Sequence, residues 1–235
     1  MTTRHWADSL TGMPHSPRNP VGRPRAVRRG DASADPKEDI LRAAAALFVR
    51  QGFAGTSTRV IAELAGMRQA SLYYYFSGKD DILRALLAET VRPTLDKARE
   101  LQATADPDGD PAVGLYRLVV ADATILLEAG RHVGALYSLP EVWSGSYPEF
   151  VKDHASLESI YTGWCRALAA GTAVTFPVVS ADLGRLCCRL VESSYEYSGD
   201  LSAVADTLGC LALRLNGVSD ARIESVRVDF RDRCG

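Results

Sequence analysis

Apolar residues recur three and four positions apart along most of the chain after residue 35, and this spacing is typical of amphipathic helices. The first such segment begins at Asp35, an acidic N-cap residue that is followed by Pro36 in the first helical turn. It is expected to extend to about Arg50. The pattern therefore predicts an all-α fold whose first helix spans residues 36–50.

The stretch from Ser57 to Phe76 predicts two short helices joined by a tight turn. Three residues form the predicted inner face of the first helix: Val60, Ile61 and Leu64. Gly66 follows that helix directly, and glycine readily adopts the left-handed conformation that ends a helix. Leu72 and Phe76 lie four residues apart in the second helix and are expected to pack inward. With the first helix of the chain, these two helices predict a three-helix domain.

The outward face of the second short helix combines small, polar and aromatic side chains and has no carboxylate. It is formed by Gln69, Ala70, Ser71, Tyr73 and Tyr74. Amide and hydroxyl groups hydrogen-bond to base edges in the major groove of DNA, and methyl groups contact thymine. The pattern therefore indicates a helix-turn-helix that binds double-stranded DNA.

The run from Thr56 to Leu83 resembles the helix-turn-helix of the tetracycline-repressor (TetR) family. The resemblance rests on a threonine-capped helix, an Ala-Gly turn, a Leu-Tyr-x-x-Phe motif and a lysine at the start of the next helix. It implies that DNA is contacted by Arg59, Arg68, Gln69, Ala70, Ser71, Tyr73, Tyr74, Tyr75 and Lys79. The residues expected to read bases are Arg59, Gln69, Ser71 and Tyr74. The residues assigned to phosphates are Tyr73, Tyr75 and Lys79.

The next predicted helix begins with the capping sequence Ser77-Gly78-Lys79-Asp80 and extends to about Ala103. Pro93 lies well inside it, where a proline removes a backbone hydrogen bond and kinks a helix. A bend is therefore expected at this position. In the TetR family this helix transmits ligand binding to the spacing of the two DNA-reading heads, so the resemblance implies that the bend matters for the response.

The remainder of the chain predicts further helices after a loop at residues 106–111. They are expected over residues 113–133, 139–143, 146–170, 180–197 and 201–216. The last two have apolar stripes, and in the TetR family the last two helices of each subunit form a four-helix bundle with those of the partner. The resemblance implies a homodimer whose interface contains Leu190, Val204, Leu208, Leu211 and Leu215. The alternative is that both stripes face the subunit's own core.

Aromatic residues with scattered polar groups occur in these helices and suit an apolar cavity for a small molecule. The resemblance implies such an effector, of unknown identity, and the candidate lining residues are Tyr116, Asp122, Tyr137, Trp143, Tyr161 and Trp164. Asp122 and Glu128 stand out because they are acids in a strongly apolar helix, where burial would demand a partner. The alternative is that the aromatic residues only fill the core.

Charge is distributed unevenly along the chain. Residues 1–90 contain thirteen Lys/Arg and nine Asp/Glu, whereas residues 91–235 contain fourteen and twenty. The basic part includes the predicted helix-turn-helix, which suits contact with a polyanion. Residues 1–34 are predicted to be a disordered basic arm, in which Arg23 and Arg25 flank a proline as in arms that enter the minor groove. The alternative is a solvated tail.

Other classes of protein find little support in the composition. No apolar run approaches the about 20 residues needed to cross a bilayer, so a cytoplasmic protein without a membrane partner is expected. The five cysteines form no C-x-x-C pair, which favours buried thiols over a redox pair. No phosphate loop, nucleophile elbow, metal-ligand spacing or nucleotide fingerprint occurs, so we expect no enzyme activity, no cofactor and no metal site.

The sequence thus predicts a basic arm (residues 1–34), a helix-turn-helix DNA-binding domain (35–80) and a helical ligand-binding and dimerisation domain (81–235). The predicted function is a ligand-responsive transcriptional regulator, expected to be a repressor, that binds a palindromic operator as a dimer. A small, largely apolar molecule is expected to release it from DNA. The alternative is a DNA-binding regulator without such a ligand, either redox-responsive or constitutive.

Overall fold

The computed structural model describes residues 35–106, 109–129, 133–171, 180–196 and 199–234, and these residues form helices and turns but no strand. The α-helices are α1 (Pro36–Gln51), α2 (Thr58–Leu64), α3 (Gln69–Tyr75), α4 (Lys79–Ala103), α5 (Pro111–Glu128), α6 (Val133–Leu136), α7 (Pro148–Ala170), α8 (Ser180–Glu192), α9 (Leu201–Leu215) and α10 (Asp220–Cys234). Two 3-10 turns lie at Pro140–Trp143 and Ser193–Glu196. The predicted all-α fold class is confirmed.

The first helix begins where the sequence predicts because Asp35 caps it. The Asp35 carboxylate accepts a hydrogen bond from the backbone N–H of Lys37 at 2.8 Å, which satisfies one of the N–H groups that have no partner inside the helix. The inner face of α1 buries Ile40 and Phe48. Phe48 also packs against Phe53 beyond the end of α1, with ring centroids 5.1 Å apart. These contacts form the core of the N-terminal three-helix part.

The longest helix, α4, connects the helix-turn-helix to the rest of the chain. It has 25 residues, contains Pro93 and contacts α1, α5 and α7. One turn before the proline, the Thr90 hydroxyl donates to the backbone carbonyls of Leu86 and Leu87 at 3.3 and 3.0 Å. The helical conformation continues on both sides of Pro93, and the predicted bend stays a prediction.

The centre of the C-terminal part is α5, which contacts α4, α7, α8 and α9. The other predicted helices are confirmed with two changes: residues 140–143 form a 3-10 turn, and α5 and α8 end five residues earlier than predicted, at Glu128 rather than Val133 and at Glu192 rather than Tyr197. The described residues cluster as one compact unit, so the predicted division at residue 80 stays a prediction.

The apolar periodicity of the sequence does not predict α10. This helix is largely polar and buries only Ile223 and Val226 among its described side chains. It is held to α9 by an ion pair in which Arg227 Nη2 lies 2.6 Å from Asp206 Oδ2. Its position therefore depends on a charge contact between residues 21 positions apart, which helical periodicity does not reveal.

The structure describes the burial of four cysteines and the apolar character of the helices, on which two expectations from the composition depend. Three of the described cysteines, Cys165, Cys187 and Cys188, are buried free thiols, and Cys210 is half-buried. Among the described helices, none is both long enough and apolar enough to span a bilayer.

Candidate DNA-binding surface and effector region

The turn between α2 and α3 has the geometry that the sequence predicts. The Ser57 hydroxyl caps α2 by accepting a hydrogen bond from the backbone N–H of Val60 at 3.3 Å. Gly66 has a φ of +72°, and the next backbone N–H, that of Met67, donates to the Ala62 carbonyl at 3.0 Å. This bond closes the end of α2, because a left-handed residue turns the following N–H back onto the last helical turn.

The predicted inner face of α2 is partly wrong. Ile61 is fully buried as predicted, but Val60 and Leu64 are 38% and 53% exposed. The buried face is instead centred on Ile61, Ala62 and Ala65. At 100° per residue these three positions share one side of the helix, and Val60 and Leu64 lie outside it.

The outward face of α3 is presented to solvent as predicted. Leu72 and Phe76 are buried and fix the helix against the core. The exposed residues of this helix are Gln69, Ala70, Ser71, Tyr73, Tyr74 and Tyr75. Tyr74 is 85% exposed, the largest value among the exposed large hydrophobic residues, and its ring meets that of Tyr75 edge-on. An exposure this large in a tyrosine marks a side chain available to a partner.

Hydrogen bonds join α2 to α3 across this surface. Thr58 Oγ1 accepts a hydrogen bond from Gln69 Nε2 at 3.0 Å and lies 3.1 Å from the Tyr73 hydroxyl. Arg59 Nε donates to Glu63 Oε1 at 3.0 Å. Thr58 therefore orients two of the predicted DNA-contacting side chains. The sequence does not reveal this role, because Ser57 is the N-cap of α2 and the partners of Thr58 follow 11 and 15 positions later.

The predicted phosphate contact of Lys79 is not supported by the structure. Its ammonium donates to the backbone carbonyls of Phe53 and Thr56 at 2.8 and 3.2 Å and lies 4.4 Å from the centroid of the Phe53 ring. An ammonium has three protons to donate, and these contacts use them to close the α1–α2 loop. Lys79 is thus assigned a structural role.

Three arginines complete the predicted DNA-binding set. Arg68 is exposed at the N-cap of α3 and its side chain makes no capping hydrogen bond. Arg23 and Arg25 lie outside the described residues, as does the predicted basic arm.

Three of the six predicted effector residues lie together in the core of the C-terminal part. The buried Asp122 carboxylate accepts a hydrogen bond from the Tyr161 hydroxyl at 2.7 Å, and the Tyr137 hydroxyl donates to Thr90 Oγ1 at 2.7 Å. Burial raises the pKa of Asp122 from 3.8 to about 7, although the hydrogen bond from Tyr161 opposes the rise. Trp143 borders this group, since its Nε1 donates to the Tyr137 carbonyl at 2.7 Å.

The remaining two predicted effector residues lie elsewhere. The Tyr116 hydroxyl donates to Asp206 in a short hydrogen bond, and its ring packs on Phe230 of α10 at 5.3 Å. The Trp164 ring packs so closely on Gly114 that a Cβ there would lie 2.3 Å from a ring atom. Tyr116 and Trp164 thus have other partners than the group around Asp122, and a single cavity lined by all six residues stays a prediction.

A cleft of about 450 Å³ lies between α4 and the start of α7. Its buried apolar lining is formed by Leu87, Val91 and Phe150. Its charged lining residues include Arg84 and Arg92, and Arg92 Nη2 lies 2.9 Å from Glu149 Oε2. None of the six predicted effector residues lines this cleft. The residues that line this cleft lie on amphipathic helices. Helical periodicity in the sequence does not distinguish a residue that lines a cleft from one that fills the core.

The predicted dimer residues fall into three groups. Leu211 and Leu215 of α9 are exposed, and Leu190 and Val204 are half-buried. Leu208 is buried inside the subunit, so its assignment to the interface was wrong. The next residue, Gly209, packs against Tyr116 and Val120 of α5, and Leu208 is buried beside it. Leu186 of α8, which was not predicted, is 46% exposed.

The capped α2–turn–α3 unit and the acid-free face of α3, in a chain whose described residues form only helices and turns, define the class of protein: a helix-turn-helix regulator that binds DNA. The sequence model of the family described as bacterial regulatory proteins, tetR family, matches residues 40–86. The chain is also similar to the crystal structure of Mycobacterium smegmatis AmtR, with 34% identity, a TM-score of 0.71 and coverage of 87% of this chain and 97% of that chain. The chain belongs to the TetR family of bacterial regulatory proteins.

Curated relatives match over shorter stretches. The chain is 34% identical to the transcriptional regulator TtgR of Pseudomonas putida over 87 residues, which are 35% of this chain and 41% of TtgR. It is 42% identical to the probable transcriptional regulator YttP of Bacillus subtilis over 53 residues, which are 23% of this chain and 26% of YttP. The chain thus spans about a quarter to two fifths of the length of these relatives.

Proposed function

We propose that this protein is a transcriptional repressor that binds a palindromic operator as a homodimer and leaves it when a small, largely apolar molecule binds. The proposed role is regulatory and not enzymatic. The observation that carries the proposal is the exposed face of α3, where polar and aromatic side chains without a carboxylate stand on a helix fixed by a capped turn. Such a face suits the major groove of DNA.

Base reading is assigned to Arg59, Gln69, Ser71 and Tyr74, with Ala70 in position to contact a thymine methyl. Gln69 is held by Thr58 in the free protein, so less conformational entropy is lost when its amide meets a base. A glutamine amide pairs well with adenine in the major groove. In the free protein Arg59 donates a hydrogen bond to Glu63, so it must break this bond before it can contact a base edge.

The test of base reading compares two exposed glutamines. A fluorescent operator duplex is recovered by selection from a random pool, and binding is measured by anisotropy. Gln69→Ala should weaken specific binding by about 1–3 kcal/mol and leave binding to random DNA unchanged. Gln102→Ala, on the exposed surface of α4, is the matched control and should change neither. An equal loss on both DNAs would reject base reading by Gln69.

Phosphate binding is assigned to Tyr73, Tyr75 and Arg68. Their removal should weaken binding to all sequences similarly and flatten the salt dependence. The basic arm with Arg23 and Arg25 is proposed to reach the adjacent minor groove. Deleting residues 1–30 should therefore lower affinity most at operators with A·T-rich flanks, and no change in affinity would reject a contact by the arm.

Dimerisation is assigned to the exposed faces of α8 and α9. Three leucines support this assignment because they are exposed although apolar: Leu186, Leu211 and Leu215. They lie on helices that are consecutive in the chain and in contact. Covering such a stripe with the same stripe of a second copy produces a symmetric interface, and a twofold operator requires a twofold protein.

The interface is tested by placing a charge on the stripe. Leu215→Glu should convert the dimer to monomer in sedimentation velocity and reduce operator affinity, because a buried unpaired carboxylate is costly. Val49→Glu changes a similarly exposed apolar residue on α1 and should leave the dimer intact. A dimer that persists in Leu215→Glu would exclude this surface.

The effector is assigned to the cleft between α4 and α7. Its volume falls within the usual range for small-molecule sites, and an apolar floor with a charged rim suits a largely apolar ligand with a polar group. Several α4 residues, from Asp81 to Arg92, line the cleft. A ligand there contacts the helix that begins next to the DNA-binding surface, so it can favour one position of α4 over another.

A compound library tests this assignment by thermal shift and operator release. Ala88→Phe fills part of the cleft and should abolish stabilisation by compounds that stabilise the unsubstituted protein. Ala155→Phe, on an exposed position of α7, is the control and should preserve it. Compounds that act equally on both variants bind elsewhere. If no compound both stabilises the protein and weakens operator binding, the assignment of the effector to this cleft loses its support.

A further inference from the structure

Three side chains with metal-binding atoms meet between α7 and α8. His154, Cys188 and Glu192 are buried, and their ligand atoms all lie within 4.8 Å of one another. Glu192 Oε1 lies 2.6 Å from His154 Nε2 and 3.7 Å from Cys188 Sγ. Cys188 and Glu192 are four residues apart on α8, so they share the face that meets His154 of α7. None of the three lines the cleft or belongs to the DNA-binding surface.

We propose that His154, Cys188 and Glu192 form a binding site for a divalent transition-metal ion such as Zn²⁺. Imidazole, thiolate and carboxylate are the ligands that zinc prefers in proteins, with metal–ligand distances of about 2.0–2.3 Å. Tetrahedral angles at these distances place a sulfur and an oxygen ligand about 3.5 Å apart and a nitrogen and an oxygen ligand about 3.3 Å apart. The observed 3.7 Å between Cys188 Sγ and Glu192 Oε1 fits this geometry. The observed 2.6 Å between His154 Nε2 and Glu192 Oε1 must increase by about 0.7 Å, which side-chain rotation can provide.

Neighbouring charged side chains lie against two of the three ligands, His154 and Glu192. His154 Nδ1 lies 3.8 Å from Glu158 Oε1. In many zinc sites a carboxylate likewise lies next to the histidine nitrogen that does not bind the metal. Arg189 Nη1 lies 2.6 Å from Glu192 Oε2, which leaves Oε1 directed toward the histidine and the thiol. Arg189 thus orients Glu192 by a hydrogen bond, and Glu158 lies close enough to accept a bond from His154 Nδ1 after a small side-chain rotation.

Charge and access also favour a cation at this position. Asp122 and Glu192 are both buried acids, and a divalent ion would compensate their charge in a region of low dielectric constant. The cluster lies next to the partly exposed Arg189, which is bonded to Glu192: the Arg189 side chain is 44% exposed and its guanidinium lies 5.1 Å from the centroid of the Trp143 ring.

Metal binding displaces two protons, that of the Cys188 thiol and the one shared by His154 Nε2 and Glu192 Oε1. The thiol proton goes to solvent, and the second proton moves to His154 Nδ1, which faces Glu158, or also goes to solvent.

The site would connect α7 and α8 to α4. The His154 ring packs edge-on against Tyr137 at 5.9 Å, and the Tyr137 hydroxyl donates to Thr90 of α4 at 2.7 Å. This inference is independent of the proposed effector cleft and of the DNA contacts.

The test uses the full-length protein, purified with a chelator and then titrated with Co²⁺ as a spectroscopic substitute for zinc. We expect one equivalent to bind with tetrahedral d–d bands and a thiolate-to-cobalt charge-transfer band, and Zn²⁺ to displace it. Cys188→Ser should abolish the charge-transfer band. Glu158→Gln should keep the band and weaken binding by about 10–100-fold. Cys210→Ser, a half-buried thiol on α9, is the control and should change neither.

A charge-transfer band that is absent, or that survives in Cys188→Ser, would overturn the proposal and leave His154 and Glu192 as a hydrogen-bonded pair. Circular dichroism in the presence of chelator shows whether each variant folds. If Cys188→Ser does not fold, Glu192→Gln and His154→Gln provide the answer. Cobalt affinity that is unchanged in both would also reject the site.

Discussion

Replacing Asp122 with Asn tests how the buried acid of α5 affects stability. Asp122 is buried beside Tyr161, and burial raises its pKa from 3.8 to about 7. An acid whose folded pKa is raised stabilises the folded protein fully below its unfolded pKa, and this contribution is lost as the pH rises through the folded pKa. Asparagine keeps the shape and an oxygen acceptor for Tyr161 but has no charge at any pH.

The magnitude follows from the two pKa values. Each pKa unit corresponds to about 1.4 kcal/mol, so the whole difference of about 3 units represents about 4 kcal/mol. pH 5 lies between the unfolded and folded pKa values, so the wild-type protein has lost only part of this contribution to its free energy of unfolding. Above the folded pKa it has lost the whole contribution. The free energy of unfolding of Asp122→Asn relative to wild type should therefore increase by about 3 kcal/mol between pH 5 and pH 8.

Urea unfolding at both pH values, with chelator present, measures this difference. Asp206→Asn is a control of opposite sign: burial opposes ionisation of Asp206, but hydrogen bonds from Arg227 and Tyr116 outweigh it and lower its pKa. That variant should be less stable than wild type at both pH values. If the Asp122→Asn difference is the same at pH 5 and pH 8, the carboxyl does not titrate in this range and the argument from burial is refuted.

Three further predictions concern single contacts. Lys79→Met should lower stability by about 1–3 kcal/mol in thermal unfolding without flattening the salt dependence of DNA binding, as its ammonium bonds the α1–α2 loop. Gly114→Ala should cost about 1–3 kcal/mol because the added methyl overlaps an indole, whereas Gly163→Ala, with open space around it, should not destabilise. Thr58→Val should weaken specific operator binding more than thermal stability, because it releases Gln69.

Local signals explain why much of the fold could be predicted. The start of α1 follows from Asp35 and Pro36, and the end of α2 follows from Gly66, since caps and turns depend on neighbouring residues. The outward face of α3 follows from Leu72 and Phe76, whose four-residue spacing places both against the core. The solvent-exposed face of α3 was therefore predictable from the sequence.

Short helices and lone charges were less predictable. In the seven-residue α2 three apolar positions were too few to define the buried side, and Val60 and Leu64 face solvent. Lys79 has the sequence position of a phosphate contact but bonds a loop 23–26 residues earlier. Leu208 has the spacing of an interface residue, and the packing of α9 on α5 decides that it is buried.

The sequence by itself determined the helical class, the positions of most helices and the helix-turn-helix, because these depend on interactions within about four residues. The tertiary structure decided which distant side chains meet. His154 and Glu192 are 38 residues apart, and Asp122 and Tyr161 are 39 apart, yet both pairs are hydrogen-bonded. Such contacts arise from the packing of α5, α7 and α8 against one another, and helical periodicity carries no information about the rotation and offset of one helix relative to another.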